Sequence, residues 1–167
     1  MASNKVVTYI DINLNSVEAY WGELVVPNAK QFQSEPSPRS LFNVASSVWH
    51  LSDWVWHDRN PGQDSRGPAW TGFRSQILAA CPQLSWLGDI ADAGKHRGLG
   101  RLPEVKGAEP QFVLNTLMLA AGAPSHDQKH FLILNDGSKV AVDDILREAI
   151  EFWLTELKSK GLLSPYL

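Results

Sequence analysis

The stretch VWHLSDWVWHDRN, Val48 to Asn60, places three tryptophans, two histidines and two aspartates within thirteen residues. Imidazoles and carboxylates at such density suit proton transfer, metal ligation or a polar network that sets helix register. At 100° per residue the helix sorts cleanly: Leu41, Phe42, Val44, Ala45, Val48, Trp49, Leu51, Val55 and Trp56 share one half of the wheel. Asn43, Ser46, His50, Asp53 and His57 share the other. His50 and His57 stand two turns apart on nearly one line, with Asp53 between them. Trp54 is the misfit. It sits beside His50 on the polar side, where an indole needs something to cover, so part of that face is expected to be buried or to line a pocket.

A second segment, DIADAGKHRGLGR (Asp89 to Arg101), repeats the device. Leu84, Leu87, Ile90 and Ala91 face one way, while Ser85, Asp89, Asp92 and His96 fall in a narrow polar sector. Asp89, Asp92 and His96 keep the same i, i+3, i+7 spacing as His50, Asp53 and His57. Three outcomes stay open for these stripes. They can form a structural polar network, or a binding pocket built from His50, Asp53, Trp54, His57, Asp92, Lys95 and His96. They can also form a divalent-metal site with His50, His57, Asp89 and Asp92 as ligands, should the two helices pack antiparallel with these faces inward. In a hydrolase acting on a phosphorylated substrate, His96 would donate the proton beside that metal. Without metal, His96 would be the base and Arg97 the phosphate anchor.

Familiar catalytic signatures are missing. There is no His-Glu-x-x-His and no Cys-x-x-Cys. Gly88 lies one position too far from Gly94-Lys95 for a phosphate loop, and no Ser or Thr follows Lys95. No Gly-x-Ser-x-Gly elbow occurs. His57-Asp58 alone carries little specificity for a phosphohydrolase, and His126 and His130 are expected in a loop. Cys81, before Pro82 on an apolar face, reads as a packed thiol rather than a nucleophile.

The body that must position these residues is a 167-residue chain, 44% hydrophobic and 20% charged, which suits one globular domain over residues 1–167. Its net charge of −3 offers no general attraction to phosphate backbones, so nucleic acid is not the favoured partner; a small ligand or a protein is. Lys95, Arg97, Arg101 and Lys106 form a local basic run that reads first as a solvated helix end. No apolar run reaches membrane-spanning length, the N-terminus lacks the basic-then-apolar pattern of a secretory signal, and the lone cysteine fits a reducing cytosol. The seven tryptophans are spread along the chain, as packing residues would be.

Element by element, NSVEAYWGELVV predicts a helix capped by Asn15 with Glu18 three residues on, and Pro27 is expected to kink or end it. Ser37 and Pro38 open a second helix to about Asp58. FRSQILAACPQLSWLGDIADAGKHR is helical, bent or divided at Pro82. GLGRLPEVKGAEP reads as a loop and QFVLNTLMLA as a strand, although so short an apolar run also fits a helix. HFLIL-NDGS-KVAV is a hairpin turning at Asp136-Gly137, followed by a helix capped by Asp143 and closed by Gly161. The expected fold is mainly α, within α+β: a helical bundle over about 16–97, loop and β elements over about 98–142 forming a small antiparallel hairpin or sheet, and a C-terminal helix over about 143–160.

NVASSVWHLSDWVWHDRNPG and CPQLSWLGDIADAGKHRGLGR resemble a group of functionally uncharacterised bacterial cytosolic proteins. These carry a Trp-His-Leu-x-Asp-Trp helix and a later Asp-Ile-Ala-x-Ala-x-Lys-His helix, and the likeness covers roughly residues 16 to 101. More distantly, the paired helices ending in Lys-His resemble HEPN-like bundles, many of which are toxin ribonucleases or nucleotide-binding partners. That family's nucleases use an arginine followed by a histidine after four to six residues. No arginine here has one, so the resemblance implies the bundle without the usual nuclease chemistry.

Overall fold

The computed structural model describes residues 14–95, 103–114 and 126–164. Chain order is α1 (Val17–Tyr20), a π-helical turn (Trp21–Val25), α2 (Val26–Ser34), α3 (Pro38–Arg59), α4 (Pro68–Ala80), α5 (Gln83–Lys95), β1 (Val105–Leu114), β2 (His126–Leu134), β3 (Lys139–Ala141) and α6 (Val142–Ser159). The expected architecture holds: the chain is mainly helical, with a three-stranded antiparallel sheet in the order β1-β2-β3 before the last helix. Among the described residues no helix is long and apolar enough to cross a membrane.

Local chemistry explains most of the boundaries. The first helix is capped by Ser16, whose side chain accepts from the Ala19 amide at 3.0 Å, one residue later than the expected Asn15. Pro27 does not end this helix. The chain widens into the π turn just ahead of it, with the Val26 N–H reaching back five residues to Trp21, and passes the proline within the first turn of α2. Ser37 and Ser40 form a reciprocal capping box that opens α3 on Pro38. Pro82 divides the later helical run into α4 and α5. At the far end Gly161, at φ 68°, closes α6: its N–H bonds the Lys158 carbonyl and that of Leu162 bonds Leu157. Asp143 lies in the first turn of α6, while the N-cap position is Ala141 and makes no side-chain cap bond.

Two expectations in the β region change. Val105–Pro110, read as loop from its glycine and prolines, forms the first half of β1, and Gln111–Leu114 continues the strand. Residues 115–120 lie outside the described residues. His126 and His130, expected in a loop, belong to β2. Pairing with β2 draws the Gly-Pro stretch into the sheet, through Gly107 opposite Ile133 and Pro110 opposite His130. A proline is tolerated there because β1 is an edge strand. The Asp136-Gly137 turn is as expected, with Gly137 at φ 84° and Asp136 accepting from the Ser138 amide.

One core joins helices and sheet. α3 lies at its centre and packs on every other helix. Its buried arc is wider than the apolar half of the wheel, because Ser47 and Ser52 are buried too, their hydroxyls returned to the carbonyls of Val44 and Trp49. α6 docks through Ile145, Leu146, Ala149, Trp153 and Leu157, with Trp153 fully enclosed. Trp21, Trp49, Trp56 and Trp70 are buried as well, and Arg74 lies over the Trp49 ring at 4.1 Å.

Two glycines let α5 approach α3. A Cβ on Gly88 would lie 2.8 Å from Trp49 Cζ2, and one on Gly94 would overlap the Phe42 ring. Gly88 opposite Trp49 and Gly94 opposite Phe42 make the helices antiparallel, the direction that the metal reading required. Gly72 in α4, by contrast, has nothing within 4 Å of a Cβ position. Gly72→Ala should therefore raise stability by ~0.5–1 kcal/mol through helix propensity. Gly88→Ala should lower it by ~1–3 kcal/mol, overpacking outweighing that gain. Denaturant midpoints measure both, and equal stabilisation by the two would show that α5 is not seated on Trp49.

Candidate functional site

Where α5 ends beside α3, three polar side chains form a chain of contacts. Lys95 Nζ lies 2.7 Å from His50 Nε2, and His50 Nδ1 lies 3.1 Å from Asp53 Oδ2. An ammonium only donates, so Nε2 accepts and the ring hydrogen sits on Nδ1, donated to Asp53. The network thus selects one imidazole tautomer. His50 and Asp53 are partly open, with side-chain exposures of 33% and 38%, and Lys95 is exposed. Helix direction accounts for the meeting: the helices are antiparallel and each side chain leans toward its own N-terminus, so Lys95 and His50 converge.

Trp54 has the cover its position demanded. Its ring packs on Tyr20 of α1, centroids 4.8 Å apart and planes tilted by 32°. Tyr20 is itself buried, and its phenol titrates well above the ordinary range, mainly through burial and secondarily through the Asp53 carboxylate. Tyr20 is the member of this neighbourhood that the sequence reading missed. The oddly placed indole signalled that a partner existed, but no spacing within α3 could identify a residue thirty-four positions upstream.

Asp89 does not share the polar sector assigned to it. It is 3% exposed, on the buried side of α5, and its Oδ2 accepts the backbone N–H groups of Glu104 (2.6 Å) and Val105 (3.0 Å). The carboxylate therefore anchors the start of β1 to α5. The Glu104 side chain ties the same junction from the other direction, accepting from Ser85 Oγ at 2.9 Å and Trp86 Nε1 at 2.8 Å. Next to this anchor lies a cavity of about 420 Å³, lined by Leu41, Asp89, Ile90, Ala93, Pro103 and Val105 among others.

The remaining candidates separate. His57 is half-buried, and its Nδ1 is enclosed without a hydrogen bond among the described residues, so that atom does not extend the His50 chain. Asp92 is half-buried near the end of α5. His96 and Arg97, candidates for proton transfer and phosphate anchoring, lie outside the described residues. Among the described residues no three His, Cys, Asp or Glu side chains gather as metal ligands would. The ligand set His50, His57, Asp89 and Asp92 is not assembled, because Asp89 faces the β1 junction. Cys81 is buried, and burial pushes its thiol up, away from nucleophilic chemistry.

Two expected outcomes follow from this geometry. Asp89→Ala should cost ~1–3 kcal/mol by leaving the two amides without their acceptor, and hydrogen exchange at Glu104 and Val105 should accelerate. Unchanged exchange at both would remove the anchoring role. For Tyr20, the folded phenol holds its proton above the ordinary value of 10.0, where the unfolded chain releases it. Stability is therefore fully present below about pH 10 and falls as pH rises beyond it. Tyr20→Phe should flatten that alkaline loss in pH-dependent unfolding, and an unaltered slope would assign it to other groups. Compared with family models, curated proteins and solved structures, the chain matches none.

Proposed function

We propose that the chain is a binding module for a small ligand or a protein partner, and that it uses the Asp53–His50–Lys95 cluster where α3 meets α5. The observation that carries this is the 2.7 Å contact between Lys95 Nζ and His50 Nε2, half open to solvent and backed by Asp53. Lys95 spends one of its three donors on His50, which leaves donors for an acceptor-rich group such as a phosphate or a carboxylate. Trp54 and Tyr20 brace the α3 side of the cluster. A half-exposed pair contributes little to folding, so its arrangement is better explained by what it meets than by what it stabilises.

The test is a titration of the full chain with inorganic phosphate, followed through the His50 imidazole signals by NMR. A saturable shift of those signals is expected, absent in Lys95→Ala, with His50→Ala changing stability by less than ~1 kcal/mol. No shift in the wild type, together with a His50→Ala loss above ~2 kcal/mol, would make the cluster a structural network and overturn the proposal.

A hydrolase acting on phosphorylated substrates is the second reading. Its support is that Asp53 orients His50 as a carboxylate orients a general base. Turnover of a phosphomonoester that is lost in His50→Gln would favour it over simple binding.

A further inference from the structure

We propose that Lys95 is a selectively reactive amine, and that the cluster takes small aldehydes or ketones as imines on Lys95 Nζ. The inference rests on the binding role proposed above and adds the chemical class of ligand. Nucleophile, base and orienting carboxylate lie within hydrogen-bond reach in series: Lys95 Nζ, His50 at 2.7 Å, and Asp53 at 3.1 Å from the far ring nitrogen. That serial arrangement is what activates a weak nucleophile. Lys95 is exposed, so a carbonyl compound reaches it without any opening of the fold.

The step balances without a co-reactant. The Lys95 amine, having released one proton to water, attacks the carbonyl carbon; a C–N bond forms and the carbonyl electron pair moves to oxygen. The adduct nitrogen then gives a proton to His50 Nε2. The imidazolium returns that proton to the oxygen, giving a carbinolamine; the second proton of the nitrogen follows through the same ring nitrogen to the hydroxyl, which leaves as water as the C=N bond forms. Carbonyl and amine become imine and water. Asp53 is a positioning residue: it holds the ring with Nε2 toward Lys95 and stabilises the transient imidazolium. Two other lysines are held differently. Lys139 is paired with Glu109 and Lys160 with Glu156, carboxylates that fix an ammonium without a ring nitrogen to relay its proton.

The experiment is limited reductive alkylation of the full chain at neutral pH, with acetaldehyde and cyanoborohydride, read lysine by lysine through peptide mass spectrometry. Lys95 should react about tenfold faster than Lys139 and Lys160, less than the usual ~10²–10⁴ of a positioned base because the cluster is half-exposed. In His50→Gln, Lys95 should fall to their rate while theirs stay unchanged. In Asp53→Asn it should fall part of the way, and this variant carries the comparison should His50→Gln not fold. Lys95 reacting no faster than Lys139 and Lys160, or keeping its excess rate in both variants, would overturn the inference. Lys95→Arg keeps the cation but forms no imine. A phosphate response surviving in Lys95→Arg beside an unexceptional alkylation rate would therefore remove the covalent inference alone, whereas a missing response in the wild type would remove the broader binding role.

Discussion

The seating of α5 on α3 through Gly88 and Gly94 is the constraint on which the rest of the molecule depends. Helices whose contact residues carry side chains pack with axes ~8–10 Å apart, and a glycine lets a neighbouring aromatic ring press against the backbone. Trp49 occupies that place at Gly88 and Phe42 at Gly94. With the helices held so, one side of α5 turns Asp89 inward to the start of β1, and its end carries Lys95 to His50. Trp49, pressed by Gly88 from one direction, receives the Arg74 guanidinium of α4. One close contact thus fixes the sheet anchor, the polar cluster and part of the α4 docking.

The two polar features on α5 differ in energetics as much as in place. Asp89 is enclosed, and a buried carboxylate is tolerable only when its oxygens are met; two backbone amides meet one of them. Its loss would be felt mainly in stability. The His50–Asp53–Lys95 chain is half open, where water competes for every contact, so its net contribution to folding is small.

α3 shows why a helical wheel is a partial guide. His50, Asp53 and His57 were grouped correctly on the less buried side, and the apolar half is buried almost throughout. The wheel could not show that Ser47 and Ser52 would join the core by closing onto their own helix carbonyls, or that Trp54 would lean on Tyr20. The first is local chemistry that hydropathy misvalues. The second depends on how α1 lies across α3, which no pattern within either helix encodes.

The helices, the cap at Ser37, the break at Pro82, the Asp136-Gly137 turn and the mainly α fold were legible in the sequence, because each follows from local rules: capping, proline geometry, glycine at positive φ and apolar periodicity. The extent of β1 was not, since Gly107 and Pro110 argue locally for a loop and only pairing with β2 makes them strand. The membership of the site was half legible. Spacing put His50 beside Asp53, because a helix brings i and i+3 together whatever surrounds it. Spacing also gave Asp89 the same status as Asp92, and that failed, because burial depends on which neighbour arrives. The β1 backbone arrived at Asp89, and Lys95 arrived at His50 across forty-five residues of chain. Those meetings belong to the tertiary structure alone, being set by helix packing at two glycines rather than by any property of the residues that meet.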